Sequence, residues 1–432
     1  MKKVILINPW IHDFAAVNMW ARPLGLLKVA ELLSGTDAEL RLIDCLDSFR
    51  PRRFNMGKYR KSPISKPGVL KNFPRKYSRY GISPGEFRES LKNLLPADAV
   101  LITSIMTYWY PGAFEAIKIV KELSPSTPVL LGGIYPTLFH DHARKHSGAD
   151  MVIAGRAEEA LPSVLESLGI EPGPVKPALP WYRLGFYRKA RYSPLLTSRG
   201  CPFRCSYCAS SALQPLFRQR PMDSVIQEVM DLSGLGVEDI AFYDDALLFQ
   251  PEEHIKPLLR EIIERKIPIR FHTPNGLHAR YLDQETAWLM RQAGFVTLRL
   301  SLETSLPHRQ RETGGKVSNE ELLRAIAFLK EAGFTKQNIG VYLMYGLPGQ
   351  DLKEVREGVR FLMDQAVRVY LAEFSPIPGT PCWDELISKG TIPPDIDPLL
   401  TNNSVYSRLF AGYDPDEIQK LKDEVTAYNR LP

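Results

Sequence analysis

The chain has 432 residues, enough for two ordinary domains with a core each. Hydrophobic residues make up 44% and charged residues 24%, which excludes a globally disordered or fibrous chain, and no apolar run approaches the length of a membrane span. The net charge of +6 is unevenly placed: residues 50–85 carry eleven Lys or Arg and no Asp or Glu, leaving the remainder at about −5.

Residues 1–168 alternate strand-like and helix-like stretches. The apolar run over 4–7 suits a strand buried on both faces, and Asn8-Pro9 ends it. It is too short for the core of an export signal, so a reducing cytoplasm is the expected compartment for this chain's five cysteines. Leu24, Leu27, Ala30 and Leu33 fall around a helix, and 40–43 reads as the next strand. The basic segment follows, rich in Pro, Gly, Tyr and Phe. It is read as a solvated or partly ordered insertion loop over about 50–85, the alternative being a surface for RNA or another phosphate-bearing partner. Strands are expected over 99–104, 129–131 and 151–154, with helices over 112–123, 139–145 and 158–168. This order implies an α/β, doubly wound, Rossmann-like domain whose ligands lie beyond the carboxyl ends of its strands. Pro172, Pro174, Pro177 and Pro180 mark 169–193 as a linker.

A second strand–helix series then begins. Strands are expected over 195–198, 240–243, 269–273, 296–302, 339–345 and 367–374. Helices are expected over 222–235, 252–266, 283–293, 319–332 and 352–365. Ser318 with Glu321 three residues on forms a capping box, and Gly294 and Gly333 stop their helices. Six such units over 194–384 make a partial (β/α)6 barrel, with chemistry at the carboxyl ends of the strands. A helical tail occupies 385–432.

Three cysteines fall within eight residues, in Gly200-Cys201-Pro202-Phe203-Arg204-Cys205-Ser206-Tyr207-Cys208, directly after the first strand of that series. Clustered thiolates suit an iron–sulfur cluster or zinc. A closed zinc site usually takes four ligands, and no fourth Cys or His follows within several residues. A small zinc loop or a disulfide stays open on spacing alone. Other candidate groups lie in the closing residues of strands or just past them: Asp244 and Asp245, Ser301 and Glu303, Tyr342 to Gly346, and the Phe374–Pro381 stretch with Pro376. Cys45 reads as a buried core thiol. Cys382, just past the last strand, reads as a second one, the alternative being a radical quencher or thiol donor facing the site.

The pattern Cys-x-x-x-Cys-x-aromatic-Cys resembles the signature of the radical S-adenosylmethionine (radical SAM) superfamily. The resemblance implies that Cys201, Cys205 and Cys208 hold a [4Fe-4S] cluster whose open iron chelates SAM, and that one electron splits SAM to a 5′-deoxyadenosyl radical. It implies Tyr207 near the adenine, Asp244 and Asp245 at the SAM amino group, Glu303 with Ser301 at the ribose, and Tyr342, Gly346 and Pro376 around the adenine. A doubly wound domain ahead of such a barrel resembles the cobalamin-binding members. There the matching residues are Ser104, Thr107, Gly132, Gly133, Gly155 and Glu158. The mutase-type Asp-x-His-x-x-Gly motif is absent, and His12, His140, His142 and His146 do not supply it, which leaves the cobalt ligand unassigned.

Three functions follow. The first is cobalamin-dependent methyl transfer to an unactivated carbon of a small molecule or peptide, with flavodoxin or ferredoxin as electron donor. The second is radical cyclase, oxidase or rearrangement chemistry without methyl transfer. The third is a non-catalytic RNA- or protein-binding module with a structural cluster. Methylthio transfer fits poorly, because only Cys45 is available in the first domain. His272, Asn275, Arg299 and Tyr345 are candidate substrate contacts.

Overall fold

The structure is a computed structural model that describes residues 2–170 and 179–432. Pro172, Pro174 and Pro177 of the expected linker lie outside the described residues. The chain forms two compact units, Met1–Lys189 with Asp397–Asn402 and Ala190–Ile396 with Asn403–Pro432. Among the described residues, no helix is long and apolar enough to cross a membrane.

In the first unit five parallel strands, β1 (Lys3–Asn8), β2 (Glu39–Asp44), β3 (Ala99–Ser104), β4 (Val129–Gly133) and β5 (Met151–Val152), lie in the order β5-β4-β3-β1-β2. This is the 2-1-3-4-5 doubly wound order, with its topological switch between β1 and β3. Successive strand residues face opposite sides. Val4 and Leu6 pack with Leu26, Ala30 and Leu33 of one helix and with Leu161 and Val164 of another. Ile5 and Ile7 are equally buried and therefore serve the opposite face. Each such side chain contributes about 1.5–3 kcal/mol of burial. The helix Tyr110–Leu123 presses so close that a Cβ on Gly112 would stand 2.0 Å from the Trp10 carbonyl oxygen.

The basic segment departs from the expected loop. Phe49–Pro51 pairs with Gly57–Tyr59, and Ser78–Tyr80 pairs with both Ile11–Asp13 and Lys61–Pro63. Its aromatic content is the cause. Tyr59, Phe73, Tyr77 and Tyr80 are buried, Phe14 lies 4.8 Å from Phe73 and 5.3 Å from Tyr77, and the Tyr77 and Tyr80 hydroxyls donate to the His12 and Phe14 carbonyls at 3.0 and 3.1 Å. The charges of Arg50, Arg52, Lys58 and Lys71 remain on the outside.

The second unit holds six parallel strands in chain order: β6 (Tyr192–Leu195), β7 (Asp239–Phe242), β8 (Arg270–His272), β9 (Phe295–Glu303), β10 (Ile339–Tyr345) and β11 (Arg368–Glu373). Each connection carries a helix, and β6 does not pair with β11, so the sheet is an open, partial barrel. Phe242, Phe271 and Phe295 from adjacent strands form one buried ring stack, with centroids 5.4 to 5.6 Å apart. The first strand ends three residues earlier than expected, because Ser198-Arg199 peels away to pair with Arg218-Gln219. The Ser318 capping box forms as expected: Ser318 Oγ accepts from the Glu321 N–H at 3.2 Å, and the Ser318 N–H donates back to Glu321 at 2.8 Å. The helix Pro415–Arg430 covers the β11 edge, where Asn429 makes paired hydrogen bonds of 2.7 and 3.0 Å with the Val369 backbone.

Candidate active site

The cysteine loop is fastened from several sides. Gly200 turns it with φ of 73°, and a Cβ there would stand 2.8 Å from the Leu216 carbonyl oxygen. At Gly314 a Cβ would stand 2.9 Å from the Cys205 Cα, so the Thr313–Gly315 loop lies directly on the cysteine loop. The Ser206 N–H donates to the Thr313 carbonyl at 3.2 Å, and the Ser206 carbonyl accepts from the Cys382 N–H at 2.9 Å. Asp244, at the end of β7, accepts from the backbone N–H groups of Thr197 and Ser198 at 2.9 and 2.6 Å and from their hydroxyls at 2.7 and 2.6 Å. Burial raises its carboxyl pKa against the pull of these donors.

Cys201, Cys205 and Cys208 line one cavity of about 440 Å³ at the carboxyl ends of the strands. Tyr207, Asp245, Ser301, Glu303 and Tyr342 line it with them. Asp244, Gly346 and Pro376 do not. Asp244 is occupied with its two neighbours' amides, and the Gly346 N–H donates to the Tyr413 hydroxyl at 3.2 Å.

The cavity's charged groups are held firmly. Asp245 accepts from the Ser210 hydroxyl at 3.1 Å, and that hydroxyl stands 3.3 Å from Cys208 Sγ; burial raises the Asp245 carboxyl. Glu303 sits at a register shift of β9 with φ of 68°, left-handed backbone that a glutamate rarely adopts. Such conformations cost on the order of 1–3 kcal/mol and cluster at functional sites. Its carboxylate pairs with Lys316 Nζ at 3.4 Å. Burial, then the Glu303 charge, pushes the Tyr207 phenol well up. Opposite, Gly276 admits Ser301: a Cβ there would stand 1.8 Å from Ser301 Oγ. Tyr342 donates to the Pro274 carbonyl at 2.8 Å.

The three thiols suit a cluster better than one ion. Burial pushes Cys201 to about 11 and raises Cys205, so these thiols stay protonated until a soft metal displaces the proton. Among the described residues, no three His, Cys, Asp or Glu groups are close enough to hold a single metal ion. A cubane takes each thiolate on a different iron, so its ligands stand around a cavity and not around a point. Lys316 was not legible as a site residue. Its only sequence signal is the Gly314-Gly315 pair before it, which lets that loop approach Cys205.

Three of the four candidate substrate contacts are core residues. His272 is fully buried and bonded to Asp239 at 2.9 Å, Arg299 donates to the Tyr370 hydroxyl at 3.0 Å, and Tyr345 hydrogen-bonds Glu373. Asn275 does line the cavity, with its amide donating to the Tyr243 carbonyl at 2.8 Å. Cys382 is buried behind the cysteine loop, its Sγ 3.5 Å from Ser206 Oγ, and is not among the cavity residues. Cys45 is fully buried, as expected.

At the strand ends of the first unit, the Ser104 hydroxyl is buried and has no hydrogen-bond partner among the described residues. Gly133 has φ of 110°, and a Cβ there would stand 2.5 Å from the Ser104 carbonyl oxygen. A Cβ on Gly132 or Gly155 would meet open space. The orphaned Ser104 hydroxyl ends β3, one of the two strands that flank the topological switch, where a ligand is expected. Thr107 is already engaged, with its hydroxyl 3.2 Å from that of Thr401 in the segment Asp397–Asn402. Glu158 lies half-buried in the first turn of the helix Ala157–Ser167. Two of the histidines are paired: His12 with Glu115 at 3.2 Å and His142 with the Tyr135 hydroxyl at 2.7 Å.

Residues 195–362 match the family model of the radical SAM superfamily, and residues 79–165 match that of the B12 binding domain. A cytidylyl-2-hydroxyethylphosphonate methyltransferase of Streptomyces wedmorensis is 23% identical over 469 residues, covering 91% of this chain and 83% of its own. The radical S-adenosylmethionine methyltransferase TsrM of Kitasatospora setae, solved with tryptophan and a SAM analogue, superposes with a TM-score of 0.67 at 18% identity. That match covers 90% of this chain and 76% of TsrM. A second TsrM structure contains cobalamin and a [4Fe-4S] cluster. The cobalamin-dependent radical enzyme OxsB shares the fold at a TM-score of 0.60 and 14% identity over 97% of this chain, which spans 56% of OxsB.

Proposed function

We propose that this chain, which carries a radical SAM domain behind a B12-binding domain, is a cobalamin-dependent methyltransferase that places a methyl group on an unactivated carbon of a small molecule. The cluster, when bound, supplies the electron that splits SAM to a 5′-deoxyadenosyl radical, and cobalamin carries the methyl group. Cys201, Cys205 and Cys208 are the thiolate ligands, one iron being left without a protein ligand. Asp245 faces the ammonium of SAM and Lys316 its carboxylate, a charge match that orients an amino acid on a metal. Glu303 accepts from the ribose hydroxyls while Ser301 contacts the same sugar, and Tyr207 and Tyr342 flank the adenine. Ser104, Gly132, Gly133 and Gly155 offer the B12-binding domain's polar and small-residue face to cobalamin. The electron comes from a flavodoxin or ferredoxin.

One observation carries this reading: three cysteines, two carboxylates and a lysine share a single cavity at the strand ends, and one of the carboxylates is held on strained backbone. The test is anaerobic reconstitution with iron, sulfide and cobalamin, followed by SAM labelled in its methyl group. Labelled methylcobalamin and 5′-deoxyadenosine are the expected products. Failure to retain cobalamin refutes the methyl-transfer reading. Deoxyadenosine with a methyl-free product assigns the chain to ring-forming or oxidative radical chemistry instead.

A further inference from the structure

His278 lines the cavity beside the cysteines and has no role in the reaction as set out above. It is 2% exposed, and its Nε2 stands 3.9 Å from Cys201 Sγ, within hydrogen-bond range for sulfur. Three contacts fix it there. Its ring stacks on Phe203 of the cysteine loop at 4.8 Å and 21°, and Arg280 packs over that same Phe203 ring at 5.5 Å. The preceding residue, Leu277, is bridged to β9, donating its N–H to the Arg299 carbonyl at 2.8 Å. The histidine therefore has little freedom to leave the sulfur.

The tautomer follows from the partners. Nδ1 is buried with no hydrogen-bond partner among the described residues. A proton on Nδ1 would be a buried donor with no acceptor, while Nε2 would face a thiolate without one. With the single ring proton on Nε2, the N–H points at the sulfur, and a thiolate ligand to iron can only accept. We infer that His278 donates an Nε2–H hydrogen bond to the Cys201 sulfur and thereby raises the reduction potential of the cluster. This rests on the assignment of Cys201 as a cluster ligand. A donor to a cluster sulfur withdraws charge from it, which favours the reduced, more negative state. Hydrogen bonds to the sulfurs are among the terms that set such potentials. His278 is a tuning residue, since it acts on the cluster through Cys201.

The test compares wild type, His278→Phe and His278→Gln, each reconstituted anaerobically, assayed for iron and sulfide, and titrated by EPR without SAM. Phenylalanine keeps the stack on Phe203 and deletes the donor, whereas glutamine keeps a donor and deletes the ring. His278→Phe is expected to shift the midpoint negative by about tenfold in the one-electron reduction constant, ~59 mV, with His278→Gln close to wild type. An unchanged midpoint in His278→Phe at equal iron content overturns the inference. So does an equal shift in both variants, which would point to packing. Should His278→Phe fail to hold a cluster, wild type labelled with ¹⁵N-histidine decides by pulsed EPR: a nitrogen coupling in the reduced cluster supports the bond, and its absence overturns it. A wild type that assembles no cluster refutes the reading of the cysteines and not the histidine's role.

Discussion

Glu303 offers a test that separates backbone strain from ligand binding. Its backbone is left-handed, φ 68°, at a register shift of β9, and its side chain faces the cavity. In an ordinary strand, glycine is worse than alanine by about 0.5–1 kcal/mol. On left-handed backbone an L-residue is disfavoured by about 1–2 kcal/mol that glycine avoids. The extra freedom of glycine in the unfolded chain offsets about 0.4–1 kcal/mol of this. Glu303→Gly should therefore be more stable than Glu303→Ala by about 1 kcal/mol, seen as a melting midpoint about 2–4 °C higher by calorimetry. Both variants lose a charged acceptor worth about 1.5–3 kcal/mol, so both should bind SAM roughly 10- to 100-fold more weakly by anaerobic titration calorimetry. An alanine variant as stable as the glycine variant refutes the strain. Unchanged SAM affinity in both refutes the carboxylate's role.

Other outcomes are as specific. Replacing Cys201, Cys205 or Cys208 by Ala should each abolish bound iron and sulfide, while Cys382→Ser, behind the loop, should leave the iron content unchanged. Gly314→Val should lower iron loading, because its side chain would enter space 2.9 Å from the Cys205 Cα. Asp244→Asn turns an acceptor of four hydrogen bonds into a group with its own N–H donors, and should cost roughly 1–3 kcal/mol of thermal stability. Burial lowers His254 to about 4. The folded state holds it neutral while the unfolded chain takes up a proton near pH 6.5, so stability falls as pH drops from 6.5 through 4. At about 1.4 kcal/mol per unit the loss is about 3 kcal/mol, and His254→Gln should flatten the melting profile across that window.

The strand ends were readable because apolar runs in this chain stop at functional groups. Cys201 and Asp245 follow strands, Glu303 ends one, Ser301 lies in the carboxyl half of that same strand and Tyr342 midway along its own, and all reach one cavity. Adjacent residues were harder to separate. Asp244 and Asp245 look alike in sequence, yet one fastens the cysteine loop and the other faces the cavity, a choice set by the amides of Thr197 and Ser198. His272 read as an inward-facing contact because its partner Asp239 lies on the neighbouring strand, 33 positions away. Lys316 and His278 lie outside the strands, where periodicity carries no signal. In the basic segment, charge masked the aromatic pattern that folds it, and only the burial of Tyr59, Phe73, Tyr77 and Tyr80 reveals the strands.

The most direct test of the account is Mössbauer spectroscopy of protein reconstituted with ⁵⁷Fe, recorded with and without SAM. The account predicts a [4Fe-4S] spectrum in which a single iron site changes when SAM is added, because only that iron lacks a cysteine. A spectrum without a cubane, or a cubane whose irons are all indifferent to SAM, contradicts it.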